Sequence, residues 1–306
     1  MADYEMIFDY RSNKHYGNEL MTLIKKEAAK SSYESWISRS KWDENYIPFA
    51  LVNENGDILA NLGIVRLYVY ANQVRYQAVQ LIGLLVNDDY KNQGLDKLLI
   101  QKVLAKYDDL VDLIYSYDPL INNLLNDEVG FANIIDCRWC KNWSETSGPT
   151  SLIAKRIDTT STKELRNLWA NIKHSARLSP TLSTSGDASI KIYNILKYFS
   201  RNVYYIPSKD VYVIFTIDKD VFKLIGVHSK CYIDWDELLK TIVPANIKKI
   251  EFGFMPPTSL GDVYHHEASE PITNYGPELG SLMIKVISGE INTSPNFFFP
   301  MLSRGK

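Results

Sequence analysis

AVQLIGLLVNDDYKNQGLDKLLIQKVLAK, residues Ala78 to Lys106, is the stretch from which the fold is read. Val79 to Val86 is a nearly unbroken apolar run of strand length. Leu95 to Leu104 then sets Leu95, Leu98, Leu99 and Val103 at helical spacing, so a buried strand gives way to an amphipathic helix. The polar loop Asn87 to Gly94 joins them. A strand that passes into a helix through a Gly-bearing loop leaves the first helical N–H groups unpaired and pointing outward, a seat for an anionic phosphate.

Upstream, Tyr4 to Tyr10 reads as a strand and Asn18 to Ala29 as a helix with Leu20, Leu23 and Ile24 facing inward. A second helix is expected at Tyr33 to Ile37. Ile47 to Asn53 and Ile58 to Ala71 are strands separated by ENGD, where Asn55-Gly56 is expected to supply the positive φ of a tight turn. Val74 opens the strand leading into the loop. Downstream, Leu110 to Tyr117 is a strand, Pro119 to Leu125 a short helix and Ala132 to Trp143 a further strand. The small polar segment SETSGPTS follows as the linker candidate and divides the chain into expected domains 1–145 and 150–306.

The second half begins as the first does. SLIAKRIDTTSTKELRNLW lies over EMIFDYRSNKHYGNELMTLI so that Arg156 meets Arg11, Glu164-Leu165 meets Glu19-Leu20, and Leu168 meets Leu23. Leu224-Ile225-Gly226 repeats Leu81-Ile82-Gly83, and WDELL at Trp235 repeats LDKLL at Leu95. The second copy is shorter in the loop, where HSKCYID stands for NDDYKNQG and has no glycine. IEFGFMPP at Ile250 echoes LIYSYDP. The expected class is α/β, a mixed central sheet flanked by helices, present twice, with the second copy lacking a phosphate loop.

Composition narrows the partners. A chain of 306 residues, 45% hydrophobic and 23% charged, holds two domains with a core each, and 34 Lys+Arg against 36 Asp+Glu leaves a charge of −2. No global basic field points to nucleic acid or anionic lipid. No apolar run approaches the ~20 residues of a membrane helix, and the expected location is cytoplasmic. Three cysteines form no disulfide framework. Cys137 and Cys140 make a C-x-x-C in a strand, where positions three apart face opposite ways, so packing is expected over zinc. His265-His266-Glu267 reads as a solvated loop and not a metal cluster, and STSGD, Ser183 to Asp187, as a flexible link between helices. The tail NFFFPMLSRGK must bury its three Phe on its own domain, on the first domain, or on a partner subunit of a homodimer.

The order of elements and two local motifs resemble the GNAT superfamily of acyl-CoA-dependent N-acyltransferases. The hallmark loop of that family, Arg or Gln, two residues, Gly, one residue, Gly or Ala, reads here Lys91-Asn92-Gln93-Gly94-Leu95-Asp96 after Val86. Gly130-Phe131 matches the family's Gly-Phe pair. The resemblance covers Met1 to about Trp143 directly and the second half only through the repeat. It implies acetyl-CoA as cosubstrate and no metal. Leu84, Leu85 and Val86 would pair with the pantetheine arm like an added strand, and Lys91, Asn92, Gln93, Gly94, Leu95 and Asp96 would hold the diphosphate. Lys91 keeps a positive charge where Arg is usual but loses the two-pronged geometry. Asp96 either stabilises the helix start, with its side chain turned away, or competes with phosphate for the same amides.

Catalytic residues carry over less completely. The usual Glu before the loop is Gln80 here, and the usual Tyr before Gly-Phe is Asn126. Tyr117 and Asp118, at the end of the Leu110 strand, are the substitutes in reach, with Tyr117 the expected proton donor. Alternatively Tyr115 and Tyr117, two apart on one strand face, simply pack. The resemblance therefore implies transfer of an acetyl group to an amine of a small molecule or peptide, or else a non-catalytic acyl-CoA-binding module.

Overall fold

A computed structural model describes residues 4–26, 43–135, 137–144, 154–177, 179–267, 281–291 and 297–305. The expected helix at Tyr33 to Ile37 and all of the SETSGPTS segment but Ser144 lie outside them. Strands β1 (Glu5–Phe8), β2 (Tyr46–Val52), β3 (Ile58–Ala71) and β4 (Val74–Val86) run antiparallel in order. Helix α1 (Lys14–Lys26) begins earlier than its apolar spacing suggests, because the Asn13 side chain accepts from the His15 and Tyr16 N–H groups and caps the start. In the ENGD turn only Gly56 is left-handed (φ +83°). Asn53 closes the loop by accepting from the Asn55 and Asp57 N–H groups. The tight two-residue hairpin comes one strand later, at Asn72 and Gln73, both with positive φ.

β4 passes through the loop into α2 (Leu95–Tyr107), and β5 (Leu113–Ser116) returns parallel to β4. The short helix α3 (Pro119–Leu125) and β6 (Phe131–Ile134) follow. Leu95, Leu99, Ile100 and Val103 of α2 pack on one face of the sheet with Val79, Leu81 and Leu84. Leu20, Leu23 and Ile24 of α1 cover the other with Ile82 and Leu85. The switch in alternation between Leu81 and Leu84 is a β-bulge at Gly83, φ +63°.

The expected single strand from Ala132 to Trp143 is two strands that part company. Phe131–Ile134 stays in the first sheet, whereas β7 (Cys137–Asn142) crosses to the second. In return β15 (Leu282–Val286), from the far end of the chain, inserts between β5 and β6. The second sheet is built from β8 (Lys155–Arg156), β10 (Val203–Ile206), β11 (Val211–Asp218), β12 (Val221–Ser229), β13 (Lys249–Phe252), then β7 and β14 (Val263–Glu267). Each half thus closes its sheet with a strand lent by the other, and the boundary near 145–150 does not separate the two sheets.

The two sheets are alike in side-chain direction along one strand each. Phe222, Leu224 and Val227 of β12 face α6 (Trp235–Ile242) with the spacing that Val79, Leu81 and Leu84 show toward α2. A bulge at the same place shifts the β11–β12 register beside Ile214. Helices α4 (Thr162–Lys173) and α5 (Ala188–Tyr198) cover the other face of the second sheet, within a core cluster that the two sheets share.

Two further readings change. Ser183 to Asp187 is not a loose link, because β9 (Leu182–Ser185) pairs antiparallel with the end of β3 beyond the reach of β2. His265-His266-Glu267 lies in β14, paired with β7, and not in a loop. Cys137 and Cys140 are buried and free, and burial pushes the Cys140 thiol up to about 11. The tail Phe297 to Gly305 runs between the sheets, with Phe298 1% and Phe299 0% exposed.

Candidate functional site

The rungs between β4 and β5 run from Ala78–Leu113 to Leu81–Ser116 and stop. Beyond them β4 is paired only with β3, through Leu85 opposite Asn61 and Val86 opposite Ala60. The two parallel strands therefore splay, and the edge of β4 on the β5 side carries no paired strand from Ile82 to Val86. Leu84 and Leu85 are buried and Val86 is partly exposed at the end of this edge.

Past Val86 the chain makes a short 3₁₀ turn, Asp88–Tyr90, whose Asp89 N–H donates to the Asn87 side chain. Asn92 (φ +63°) and Gly94 (φ +74°) are both left-handed and bracket Gln93. Alternation of this kind turns successive N–H groups to one side, the geometry of a backbone nest. Gly94 occupies the N-cap position of α2 and offers no side chain to cap it. Among the described residues, the N–H groups of Asn92, Gln93, Gly94, Leu95 and Asp96 find no acceptor. A Cβ built on Gly94 would meet nothing within 4 Å, so the space in front of this turn is open. The loop and α2's N-terminus thus follow directly on the unpaired end of β4.

Charge around the nest is less favourable than the amides. Lys91 is engaged by Asp88, whose carboxyl is held below the usual range by the hydrogen bond from Lys91 and by its charge. The Asp96 carboxylate accepts from the Lys97 N–H at 2.8 Å within the first turn of α2. Gly130 is left-handed (φ +89°) and Phe131 begins β6, packing against the α2 core.

Tyr117 stands one residue past the last β4–β5 rung and is 0% exposed. Its ring meets Phe299 edge-on at 6.2 Å and lies 4.5 Å beneath the Arg304 guanidinium, while Phe299 stacks on Tyr115 at 4.4 Å. Both tyrosines thus pack, and the chain's last residues seal them. Asp118 caps α3, accepting from Leu120 N–H at 2.9 Å. Asn126 ends that helix. Gln80 is fully buried and turned to the tail, donating to the Ser303 carbonyl at 3.2 Å and accepting from the Gly305 N–H at 2.8 Å. Asn194 of α5 holds the same tail through the Leu302 and Arg304 carbonyls, at 3.0 and 2.9 Å. Sequence reading found the three Phe but gave no sign that an Arg would follow them into the core.

Several solved structures are similar over almost the whole chain. A conserved protein of unknown function from Enterococcus faecalis V583, a probable N-acyltransferase, matches with a TM-score of 0.52 at 10% identity, covering 94% of this chain and 72% of that one. GCN5-related N-acetyltransferases from Anabaena variabilis (0.52, 11%, 93% and 73%) and Kribbella flavida (0.50, 12%, 93% and 71%) match similarly. The fold is that of the GCN5-related N-acetyltransferases, extending over both halves. No protein-family model and no curated protein sequence matches the chain. Among the described residues no three His, Cys, Asp or Glu side chains converge on a metal position, and no helix is long and apolar enough to cross a membrane.

Proposed function

We propose that the protein is an acyl-CoA-dependent N-acyltransferase that moves an acetyl group to an amine of a small molecule or peptide. The observation that carries this reading is the run of unpaired amides from Asn92 to Asp96, set at the mouth of a splayed β4–β5 pair. Acetyl-CoA fits such a track because it presents a diphosphate to donors and an amide-bearing arm to a strand edge. Asn92, Gln93, Gly94, Leu95 and Asp96 would hold the diphosphate through backbone N–H groups, with Lys91 beside them. Leu84, Leu85 and Val86 would pair with the arm. The bound thioester supplies the activated acyl group. The chain then has to orient an uncharged amine and return a proton to the departing thiol. In this reading the proton donor is Tyr117, one residue past the splay, and its exposure requires the Phe297 to Gly305 segment to shift.

A second reading is favoured by that seal: with Gln80 bound to the tail and Tyr117 covered, the protein would hold acyl-CoA without turnover. Two measurements separate the readings. Acetyl-CoA at saturating concentration should raise the melting temperature, since a ligand at a hundred times its dissociation constant adds about 2.7 kcal/mol. Thiol release with a panel of amines, amino acids and peptides then decides turnover. Stabilisation without thiol release supports the binding module, and no stabilisation at millimolar acetyl-CoA rejects both.

A further inference from the structure

A cavity of about 340 Å³ lies away from the phosphate loop, between the second sheet, α4, α5 and β9. Its β12 wall is Ile225 to His228, which the repeat places where Ile82 to Leu85 stand in the first half. None of the tail beyond Leu302 lines it, so the tail separates it from the β4–β5 splay. Apolar walls come from Trp169, Trp235, Phe254 and Leu302. At the density of protein interiors the space suits roughly fifteen non-hydrogen atoms.

Its polar groups define what would fit. Asp187 and Lys191, one turn apart on α5, form a buried ion pair at 2.9 Å, and Thr184 donates to Asp187 at 2.7 Å. Burial opposes ionisation of Asp187, but the Lys191 charge with bonds from Lys191, Thr184 and Ser303 outweighs it and keeps the carboxyl below its ordinary value. The pair is therefore internally balanced and offers no net charge. His228 is buried, its Nε2 has no partner among the described residues, and the same holds for the Ser183 hydroxyl. Burial first, then the Lys191 charge, pushes the imidazole down to about 3 against a smaller opposing effect of Asp187, so the ring is neutral. A buried polar atom without a partner destabilises the fold, and such groups concentrate where a ligand completes them. Asp43, Glu44, Lys173 and Arg177 also line the cavity, the last three exposed and Glu44 paired with Lys173 at 3.3 Å. The charges that act on His228 are the paired Lys191 and Asp187, so a charged group placed beside it would lose its hydration and gain no net counter-charge.

We propose that this cavity is a second small-molecule site, for an uncharged aromatic molecule whose hydroxyl or amide group bonds to His228 and Ser183. The half of the chain that lacks a phosphate loop has kept the hollow beside its splay and lined it for a different ligand. This site does not depend on acyl-CoA binding in the first half.

Benzamide, benzoate and benzylamine are nearly isosteric probes of opposite charge character, and calorimetric titration of the full chain compares them. Benzamide is expected to bind at least tenfold more tightly than either ion. His228→Leu should lower benzamide affinity about tenfold while raising the melting temperature of the free protein by a few degrees, because an unpartnered buried nitrogen is removed. Ser183→Phe should occlude the cavity and abolish binding. Gly94→Val should leave benzamide affinity unchanged, which keeps this outcome distinct from any failure of acetyl-CoA to bind. Equal affinity for benzoate or benzylamine, no benzamide binding up to about 10 mM, or full affinity in both cavity variants would each overturn the proposal.

Discussion

The two strand-to-helix junctions, β4 into α2 and β12 into α6, follow equivalent bulged strands yet end in opposite ways. At α2 the N-cap is Gly94, left-handed and without a side chain to offer. At α6 it is Asp234, whose carboxylate accepts from the Glu237 N–H at 2.9 Å. A helix start has the same unpaired donors in both places; one is left open and the other is closed from within. The pairing of parallel strands stops at Leu81 in the first half and at Leu224 in the second, but there Gly253 N–H bonds back to the Leu224 carbonyl at 2.8 Å and Met301 N–H takes the Gly253 carbonyl at 2.7 Å. The second splay is stapled by its own backbone. Under the proposed function, the anion-binding junction and its closed counterpart differ in which group satisfies the first-turn amides.

The most drastic way to test that comparison is to separate the halves. Because β7 belongs to the second sheet and β15 to the first, fragments 1–145 and 150–306 each lack a strand beside their parallel pair and carry one that belongs elsewhere. Neither fragment alone is expected to unfold cooperatively, while mixing or co-expressing the two should restore a cooperative transition. Independent, cooperative melting of either fragment would show the exchange to be dispensable.

Next in size is the pair Gly94→Val and Asp234→Ala. A β-branched residue at φ +74° is strained by roughly 1–2 kcal/mol, and relief by moving the turn misplaces the amides. Acetyl-CoA stabilisation should fall to nothing measurable by thermal shift. Asp234→Ala removes a cap worth about 1 kcal/mol of stability and should leave acetyl-CoA affinity as it was. If the two substitutions affect affinity alike, the open and closed junctions do not differ in function.

His228 follows two residues after Gly226, where the first half has Leu85, and gives the second junction an acid response of its own. Its folded value of about 3 lies below the ordinary 6.5, so the unfolded chain binds the extra proton between those limits and stability drops as pH falls through 6.5. From pH 6.5 to 5, above the range of ordinary carboxylates, the loss attributable to this group is about 2 kcal/mol. Chemical denaturation at the two pH values should show that slope in the natural protein and a flat profile in His228→Leu. A slope that survives the substitution would place the acid-sensitive group elsewhere.

What could be read from sequence divides along physical lines. The β4–α2 stretch was legible because a strand period, a glycine and a helix period succeed one another within one local segment. The likeness of β4 and β12 was legible because buried residues recur at the same spacing in both. The exchange of β7 and β15 was not, since a strand's own residues say that it is half-buried, not which sheet receives it. Ser183 to Asp187 escaped for another reason. Leu182 and Thr184 face inward in β9, but the alternation is carried by hydroxyl residues that also favour turns. The Asp187–Lys191 spacing of four was the available signal for an ion pair on α5. Arg304 had none, because nothing local marks a guanidinium for burial against Tyr117 and the Phe299 carbonyl.

The smallest expected effect concerns Asp96, which does at α2 a little of what Asp234 does at α6. Among the described residues its carboxylate accepts only the Lys97 N–H and leaves the amides ahead of it open, and its charge stands in the same first turn that the proposed function gives to the diphosphate. Near a helix start such a charge stabilises the helix by about 0.3–1 kcal/mol and would oppose an incoming anion by a comparable amount. Asp96→Asn keeps an oxygen for Lys97 and removes the charge. Folding stability should fall by a few tenths of a kcal/mol, and acetyl-CoA should bind roughly two- to fivefold more tightly at low salt, the gain shrinking as ionic strength rises. Titrations at two salt concentrations read both quantities. A weaker or unchanged affinity at low salt would mean that the carboxylate is needed to hold the turn, and that the first junction, like the second, depends on an acidic side chain to set its helix.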